Sequence, residues 1–400
     1  MLFMNATRQG LTPALVMLMS VATGLCVASN YYVQPLLNTI AQQFDLSVSL
    51  AGFIVITAQL GYACGLLLLV PLGDRFERRS LIVTMILLAA AGMVIIALSH
   101  SFLFLLLGTV MTGLFSVAAQ ILVPLAATLA EPERRGKIVG TVMSGLLLGI
   151  LLARTVAGGL AQLGGWRTVY WTASLLMVVM VMALALWRSL PRVKQSVPMS
   201  YPQLLASIFR LYAGNRVLRT RAWTGCLSFA NFSLLWTSMA FLLAGAPYHF
   251  SEGEIGLLGL VGAAGALAAR QAGALADKGK AKLTTRLGLL LMLLSWAAIA
   301  WGAEQLAPLI VGILLLDLAV QAVHITNQSV IYAQMPEARN RLNAGYMTSY
   351  FMGGAAGSLL SATAYHLWGW YGVCGAGALL TVVNLLIWAA GSRFEPEKIN

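Results

Sequence analysis

Charge is scarce in this chain. Only 10% of its 400 residues are charged, and 13 of them are Asp or Glu. A soluble chain of this length carries about a quarter charged residues, so a water-facing globular protein is excluded. Cysteine is scarce too. Cys26, Cys64, Cys226 and Cys374 each fall inside an apolar run, which excludes a disulfide scaffold or a zinc cluster. No G-x-x-x-x-G-K-[ST] segment occurs, and no loop is long enough to house a nucleotide module, so an ATP-driven pump is excluded. No H-E-x-x-H, nucleophile elbow or paired intramembrane carboxylates point to an enzyme. A membrane-embedded enzyme and a channel stay as distant alternatives, separated from a carrier by saturable, counterflow-competent flux. No cofactor or metal is implied. Short alternating strands are missing, which excludes a membrane barrel.

What is present is apolar length. Hydrophobic residues make up 59% of the chain. They form twelve runs of roughly twenty residues, each long enough to cross a bilayer as a helix. The runs centre near Leu25, Leu60, Ala89, Ser116, Gly149, Val178, Leu234, Ala264, Leu293, Leu318, Ala355 and Leu380. The first is too long for a signal-peptide core and is expected to be retained as span 1. The net charge of +12 is a topology signal, not a nucleic-acid signal. Apart from Arg154, Arg167 and Arg270, every Lys and Arg falls at a terminus or in an even-numbered loop. The positive-inside rule then puts both termini in the cytoplasm of a multi-pass protein of the bacterial inner membrane. The partners expected are the lipid bilayer, protons and a small-molecule substrate; no nucleic acid is expected, and the chain is read as a monomer.

The chain also repeats itself about 204 residues apart. Gly165-Trp166 returns as Gly369-Trp370, Pro132-Glu133 as Pro336-Glu337, Arg135 as Arg339, and Asp74 as Asp277. Two copies of an apolar array read as a secondary transporter with its substrate site between the copies. The expected domains are a six-helix bundle over residues 1–187, a cytoplasmic linker over 188–221 and a second six-helix bundle over 222–400. Within the linker, Leu204, Leu205, Ile208 and Leu211 predict a short amphipathic helix on the membrane surface.

Polar residues form stripes at helical spacing on the first span of each group of three. Span 1 has Ser20, Thr23, Tyr31, Gln34 and Asn38, and span 4 has Thr109, Thr112, Ser116 and Gln120. Span 7 has Thr224, Ser228, Asn231 and Ser238, and span 10 has Asp317, Gln321, His324 and Gln328. Such stripes line a shared aqueous cavity or make hydrogen bonds between helices. The candidate cavity residues are Tyr31, Gln34, Thr109, Ser116, Gln120, Asn231, Gln321 and Gln328. The third spans are nearly all apolar and are expected to face lipid. Small residues four apart on the second spans (Gly61 and Gly65, Gly145 and Gly149, Gly262 and Ala266, Gly353 and Gly357) allow close helix approach.

The loop Leu72-Gly73-Asp74-Arg75-Phe76-Glu77-Arg78-Arg79 resembles the signature G-x-x-x-D-R-x-G-R-R of the major facilitator superfamily. Val70 and Glu77 stand where that signature has glycines. The second copy keeps Gly273 and Asp277, with Lys278 where the first has Arg75. With twelve spans and the repeat, the resemblance covers the whole chain. It implies an all-α fold of two pseudo-symmetric halves, working by alternating access. It also implies that Asp74, Arg75, Arg78, Arg79 and Asp277 latch the halves in one state. Within the superfamily, Gly149–Thr155 and the run from Asp317 to Arg341 are similar to the bacterial drug and sugar efflux branch. Thr109 stands where proton-coupled drug exporters have Arg, and Ile150 where they have Pro.

Asp317 is the one acid placed deep in a span, about 16 Å along its helix. A carboxylate there is costly unless paired, hydrated or protonated. It is the candidate proton site, or the partner of Arg154 in an ion pair. Arg154 has two readings, that pairing or contact with substrate. His324, on the same face as Asp317, is a candidate proton relay or a hydrogen-bonded cavity residue. The expectation is export of a small neutral or amphipathic solute by proton antiport. Proton symport and facilitated diffusion are the alternatives.

Overall fold

The computed structural model describes residues 11–131, 134–187, 190, 200–268, 279–334 and 339–394, and their regular structure is helical throughout. In chain order the helices are α1 (Pro13–Ala28), α2 (Val33–Gln43), α3 (Val48–Leu68), α4 (Arg78–Leu98), α5 (Phe102–Phe115), α6 (Ala119–Leu129), α7 (Arg135–Gly164) and α8 (Trp166–Met182). Then come α9 (Tyr201–Gly214), α10 (Arg216–Ala244), α11 (Glu252–Ala268), α12 (Ala281–Trp301), α13 (Leu306–Gln334) and α14 (Arg339–Gly391). α1 and α2 make span 1, and α5 and α6 make span 4. α14 is spans 11 and 12, parted at Gly369, where φ is 64°. Only glycine adopts that backbone readily. Gly165, with φ of 80°, makes the matching turn after span 5. The result is the all-α membrane fold of twelve spans in two halves.

Local chemistry sets the helix starts. Ser47, Ser101 and Asn215 accept from backbone amides at the beginnings of α3, α5 and α10. α10 begins at Arg216, so the last residues of the expected linker are the first turns of span 7. Arg167, the basic residue on the wrong side of the charge rule, donates to the carbonyls of Ala97 (3.1 Å) and Ser99 (2.8 Å) at the end of α4. Its charge there complements a helix C-terminus. On α12, Leu283, Leu287, Leu290 and Leu294 form an exposed apolar stripe, as a lipid-facing third span should.

The repeat is visible contact by contact. A methyl on Gly61 would meet Leu114 of span 4, and a methyl on Gly265, 204 positions later, would meet Leu318 of span 10. Gly149 packs on Gly24 of span 1, and its counterpart Gly353 packs on Cys226 of span 7. These approaches need glycine, because an added Cβ would lie within 2.9 Å of backbone.

The halves meet tightly at the end away from the linker. Gly158 of α7 lies against the backbone of Glu252 in α11, and Gly52 of α3 lies against Ala362 of α14. Polar bonds add to this seal. Thr155 Oγ1 donates to Gly256 O (2.9 Å), Gln162 Nε2 donates to Ser251 Oγ (2.8 Å), and Thr39 donates to Glu252. At the linker end, a cleft opens between the halves. Its lining includes Pro71, Gln120 and Pro124 from the first half and Arg341 and Asn343 from the second.

α9 is the helix expected in the linker, opened by a Ser200–Gln203 capping box. Its apolar face turns inward onto the protein: Leu204 and Ile208 line the cleft. Tyr201 donates to Leu68 O of the first half (2.6 Å), and Ser349 of the second half donates to the Tyr212 hydroxyl (3.2 Å). The helix therefore spans the mouth of the cleft and joins both halves.

Candidate substrate and coupling site

The cleft runs inward to Gln120, whose amide donates to the Tyr62 hydroxyl (3.3 Å). Tyr62 in turn packs its ring 4.2 Å from that of Phe351. Toward the sealed end the two halves present different faces. The second half offers aromatic rings: Phe229 stacks on Tyr350 (4.1 Å) and Phe232 (5.3 Å), and Phe232 adjoins Trp236 (6.1 Å). The first half offers amides and a cation. Gln59 is fully buried, with neither side-chain atom hydrogen-bonded among the described residues, and its amide carbon lies 3.2 Å from where a Cβ on Gly354 would stand. Asn30, at the break between α1 and α2, is likewise buried with both atoms unpartnered.

Arg154 is 2% exposed. Its Nε donates to Gln34 Oε1 (2.5 Å), and its guanidinium lies 3.8 Å from the Trp236 ring centre. Tyr31 and Phe232 stand at 5.0 and 5.2 Å, completing an aromatic cage around the cation. Among the described residues, its Nη2 and the Nε2 of Gln34 are buried without a partner. Asp317 is 4% exposed and accepts from Trp236 Nε1 at 3.3 Å. So Trp236 touches both charges. Among the described residues no direct ion pair joins Arg154 and Asp317, although each lies in the other's electrostatic field. One helix makes room for both: Arg154 packs on Gly256 and Gly259 of α11, and Asp317 Oδ2 packs on Gly262. Three glycines at three-residue spacing cut a groove into which each half sends one charge.

The other sequence candidates divide clearly. Ser116, in the short 3₁₀ turn that breaks span 4, bonds Ser29 at the break of span 1 (2.6 Å). Thr109 closes onto the carbonyl of Leu105 in its own helix (2.7 Å). Asn231 lies inside the second half, where its Oδ1 accepts from Trp296 (2.8 Å) and Thr381 (2.9 Å). The rest of the span 7 stripe is also absorbed there: Ser228 accepts from Asn384 (3.1 Å), and Ser238 bonds Ser361 (2.5 Å). On span 7, then, the stripe joins helices, and the cavity-lining alternative does not apply. His324 Nδ1 lies 2.9 Å from the Tyr346 hydroxyl, with Tyr350 beside its ring. It is two helical turns, about 10 Å, from Asp317. Gln321 is half-buried, and Gln328 reaches Met347 Sδ at 3.8 Å.

In the signature loop, Glu77 accepts from the amides of Arg79 and Ser80 (3.0 Å each) and caps α4. The family has glycine there, so the sequence pattern gave no sign of that cap. Arg78 is buried and donates to Gly73 O (3.0 Å) and Thr128 (3.4 Å); Arg79 donates to Ala185 O (2.6 Å). Both bind the loop to its own half, while Arg75 is exposed. The side chain of Asp74 and the whole of Asp277, with Arg270 and Lys278, lie outside the described residues.

Trp236, Phe232, Phe351, Asn30 and Gln59 were not visible as site residues. Aromatics in an apolar run look the same whether they face lipid or a cavity. Gln59 had one available signal, a lone amide inside span 2.

The family model described as Major Facilitator Superfamily matches residues 19–300 and, in a second match, 222–399. An uncharacterized transporter of Escherichia coli O157:H7, YgaY, is 67% identical over 388 residues, covering 97% of this chain and 98% of the relative. A probable transporter of Streptomyces coelicolor is 33% identical over 371 residues, covering 91% and 85%. The fold resembles the solved D-xylose–proton symporter (TM-score 0.74, 17% identity, 96% and 98% covered). It also resembles a bacterial homolog of the human lysosomal transporter Spinster, inward-facing and occupied (TM-score 0.74, 15% identity, 96% and 97% covered).

Proposed function

The chain belongs to the major facilitator superfamily, and on that premise we propose a proton-coupled secondary transporter of a small organic solute, with Asp317 as the proton site. The observation that carries this is the buried Asp317 carboxylate beside Arg154 at the interface of the halves. A deep acid with one hydrogen-bond donor is stabilised by taking a proton, and its neighbour's charge then lacks a counter-ion. The linker end is cytoplasmic by the charge rule, in the bacterial inner membrane, so the cleft makes this conformation inward-facing. The protein acts as a monomer, and Asp74 and Asp277 serve as the latch that the family resemblance implies.

The sequence pointed to export by proton antiport. Antiport needs a solute that stabilises ionised Asp317, as a cation would, and Arg154 repels a cation there. The geometry favours the alternative, symport: neutralising Asp317 leaves Arg154 attractive to an acceptor or anion, so proton and solute bind together. Purified protein in vesicles tests both points, using a solute found by thermal-shift screening. Asp317→Asn should abolish accumulation driven by a pH gradient and leave counterflow exchange. Accumulation that persists in this variant would remove Asp317 from the coupling. Proton movement opposite to the solute would restore antiport.

A further inference from the structure

The first half holds more hydrogen-bonding capacity than its own structure uses, and it does so next to a cation. Arg154 Nη2 and Gln34 Nε2 are both donors, both buried, both without a partner. They belong to side chains already joined by the 2.5 Å bond from Arg154 Nε to Gln34 Oε1, so they sit on neighbouring edges of one hydrogen-bonded unit. A buried donor left unmade is costly, so two of them side by side mark a place that a bound acceptor would satisfy. Two adjacent donors, one on a guanidinium, match the two oxygens of a carboxylate. Next to them stand flat apolar surfaces, the rings of Phe232, Trp236 and Tyr31. Gln59, with its whole amide unpartnered among the described residues and set against Gly354, adds a further polar contact along the same interface.

We infer that this site takes an aryl carboxylate, its carboxylate on Arg154 and Gln34 and its ring on the aromatic face of the second half. The inference rests on the proton coupling proposed above and names the solute class for it. Asp317 bears on the site as the competing anion. While ionised it partly satisfies the Arg154 charge; once protonated it leaves that charge to the ligand. Binding therefore tightens as pH falls, with the ligand itself ionised throughout.

Titration calorimetry on the purified full chain tests this with benzoate, benzamide and benzylamine, which share the ring and differ in the head group. At pH 6, benzoate should bind about tenfold or more tighter than benzamide, the size of a charge-assisted over a neutral hydrogen bond. Benzylamine should bind least. Benzoate affinity should fall as pH rises to 8, and this dependence should vanish in Asp317→Asn. Arg154→Gln should erase the preference for benzoate. If Arg154→Gln fails to fold, Gln34→Met, which removes one donor together with the acceptor that holds Arg154 Nε, should weaken benzoate more than benzamide. Equal affinity for benzoate and benzamide, preference for benzylamine, binding by none of the three, or benzoate affinity rising with pH would each overturn the assignment. Failure here would leave the coupling role of Asp317 standing, because the vesicle experiment reads that role with any transported solute.

Discussion

Asp317 lies in α13 where the first half has Gly113, 204 positions earlier, and Arg154 lies in α7 where the second half has Ser358. The frame around them is shared. Gly113 packs on Ala58 of α3, and Asp317 packs on Gly262 of α11, again 204 positions on. Glycine has changed sides of the contact, so that one half makes room for a carboxylate and the other does not. Ser358 accepts from Thr237 (3.0 Å) and serves packing. Duplication thus explains the helices and their close approaches, and the two charges sit where the copies differ. The halves also differ in how their buried amides are used. Asn231 and Asn327 of the second half bond across helices, Asn231 to Trp296 and Thr381, Asn327 to Arg221 and Tyr346. In the first half, both atoms of Asn30 and both of Gln59 are unpartnered. The second half also leaves single atoms unpartnered, on Ser233, Thr348, Asn384 and Trp388. Whole amides left open on the first half fit the division of labour in the proposed function: polar recognition from one copy, apolar surface and proton binding from the other.

Substitutions at paired positions sharpen this contrast. The largest effect expected is on stability, from Gly113→Ala, whose new methyl would lie 2.5 Å from Ala58 O. Overpacking of that kind costs about 1–3 kcal/mol or more, read as a lower melting temperature in detergent. Gly262→Ala, at the position matching Ala58, would place a methyl 2.1 Å from Asp317 Oδ2. That contact is the end of a side chain that can turn, so folding should survive and pH-gradient-driven transport should be lost. A Gly262→Ala protein that couples normally would show that the position of Asp317 is unimportant.

The amides provide the next test. Asn231→Ala strips partners from Trp296 and Thr381 and should destabilise by about 1–3 kcal/mol. Gln59→Leu removes groups that bond nothing and should be neutral or stabilising, while slowing transport. Equal destabilisation by both would erase the distinction between the halves. The smallest effect belongs to Thr109→Ala, within about 1 kcal/mol, because that hydroxyl bonds the Leu105 carbonyl of its own helix. Transport rates of this variant should match the parent protein.

Much of the frame was legible because it rests on short-range rules. Apolar length gave the spans, the 204-residue offset gave the halves, and glycine spacing gave the helix contacts, as Gly61 and Gly353 illustrate. The breaks at residues 29–32 and 116–118 were not, since neither carries a breaker that distinguishes it within an apolar run. At the site, Arg154, Gln34, Tyr31 and Asp317 stood out because charge and amides are expensive in lipid. The polar stripe of span 7 looked identical to a cavity face, because helical spacing tells which residues share a face and not what that face meets. The linker helix was legible as amphipathic, but its apolar side turned to the cleft instead of the bilayer, a choice set by tertiary packing.

The central claim is that one charge from each half forms a single coupled unit. Melting temperatures of the parent, Arg154→Gln, Asp317→Asn and the double variant measure it most directly. Each single variant leaves one buried charge uncompensated, so the double variant should be more stable than the sum of the single losses predicts, by roughly 0.5–3 kcal/mol. The pH dependence gives the sign. Lowering the pH should recover stability in Arg154→Gln, where the lone Asp317 can take a proton, and should not in Asp317→Asn, where the lone Arg154 stays charged. Additive losses with no such recovery would contradict the account.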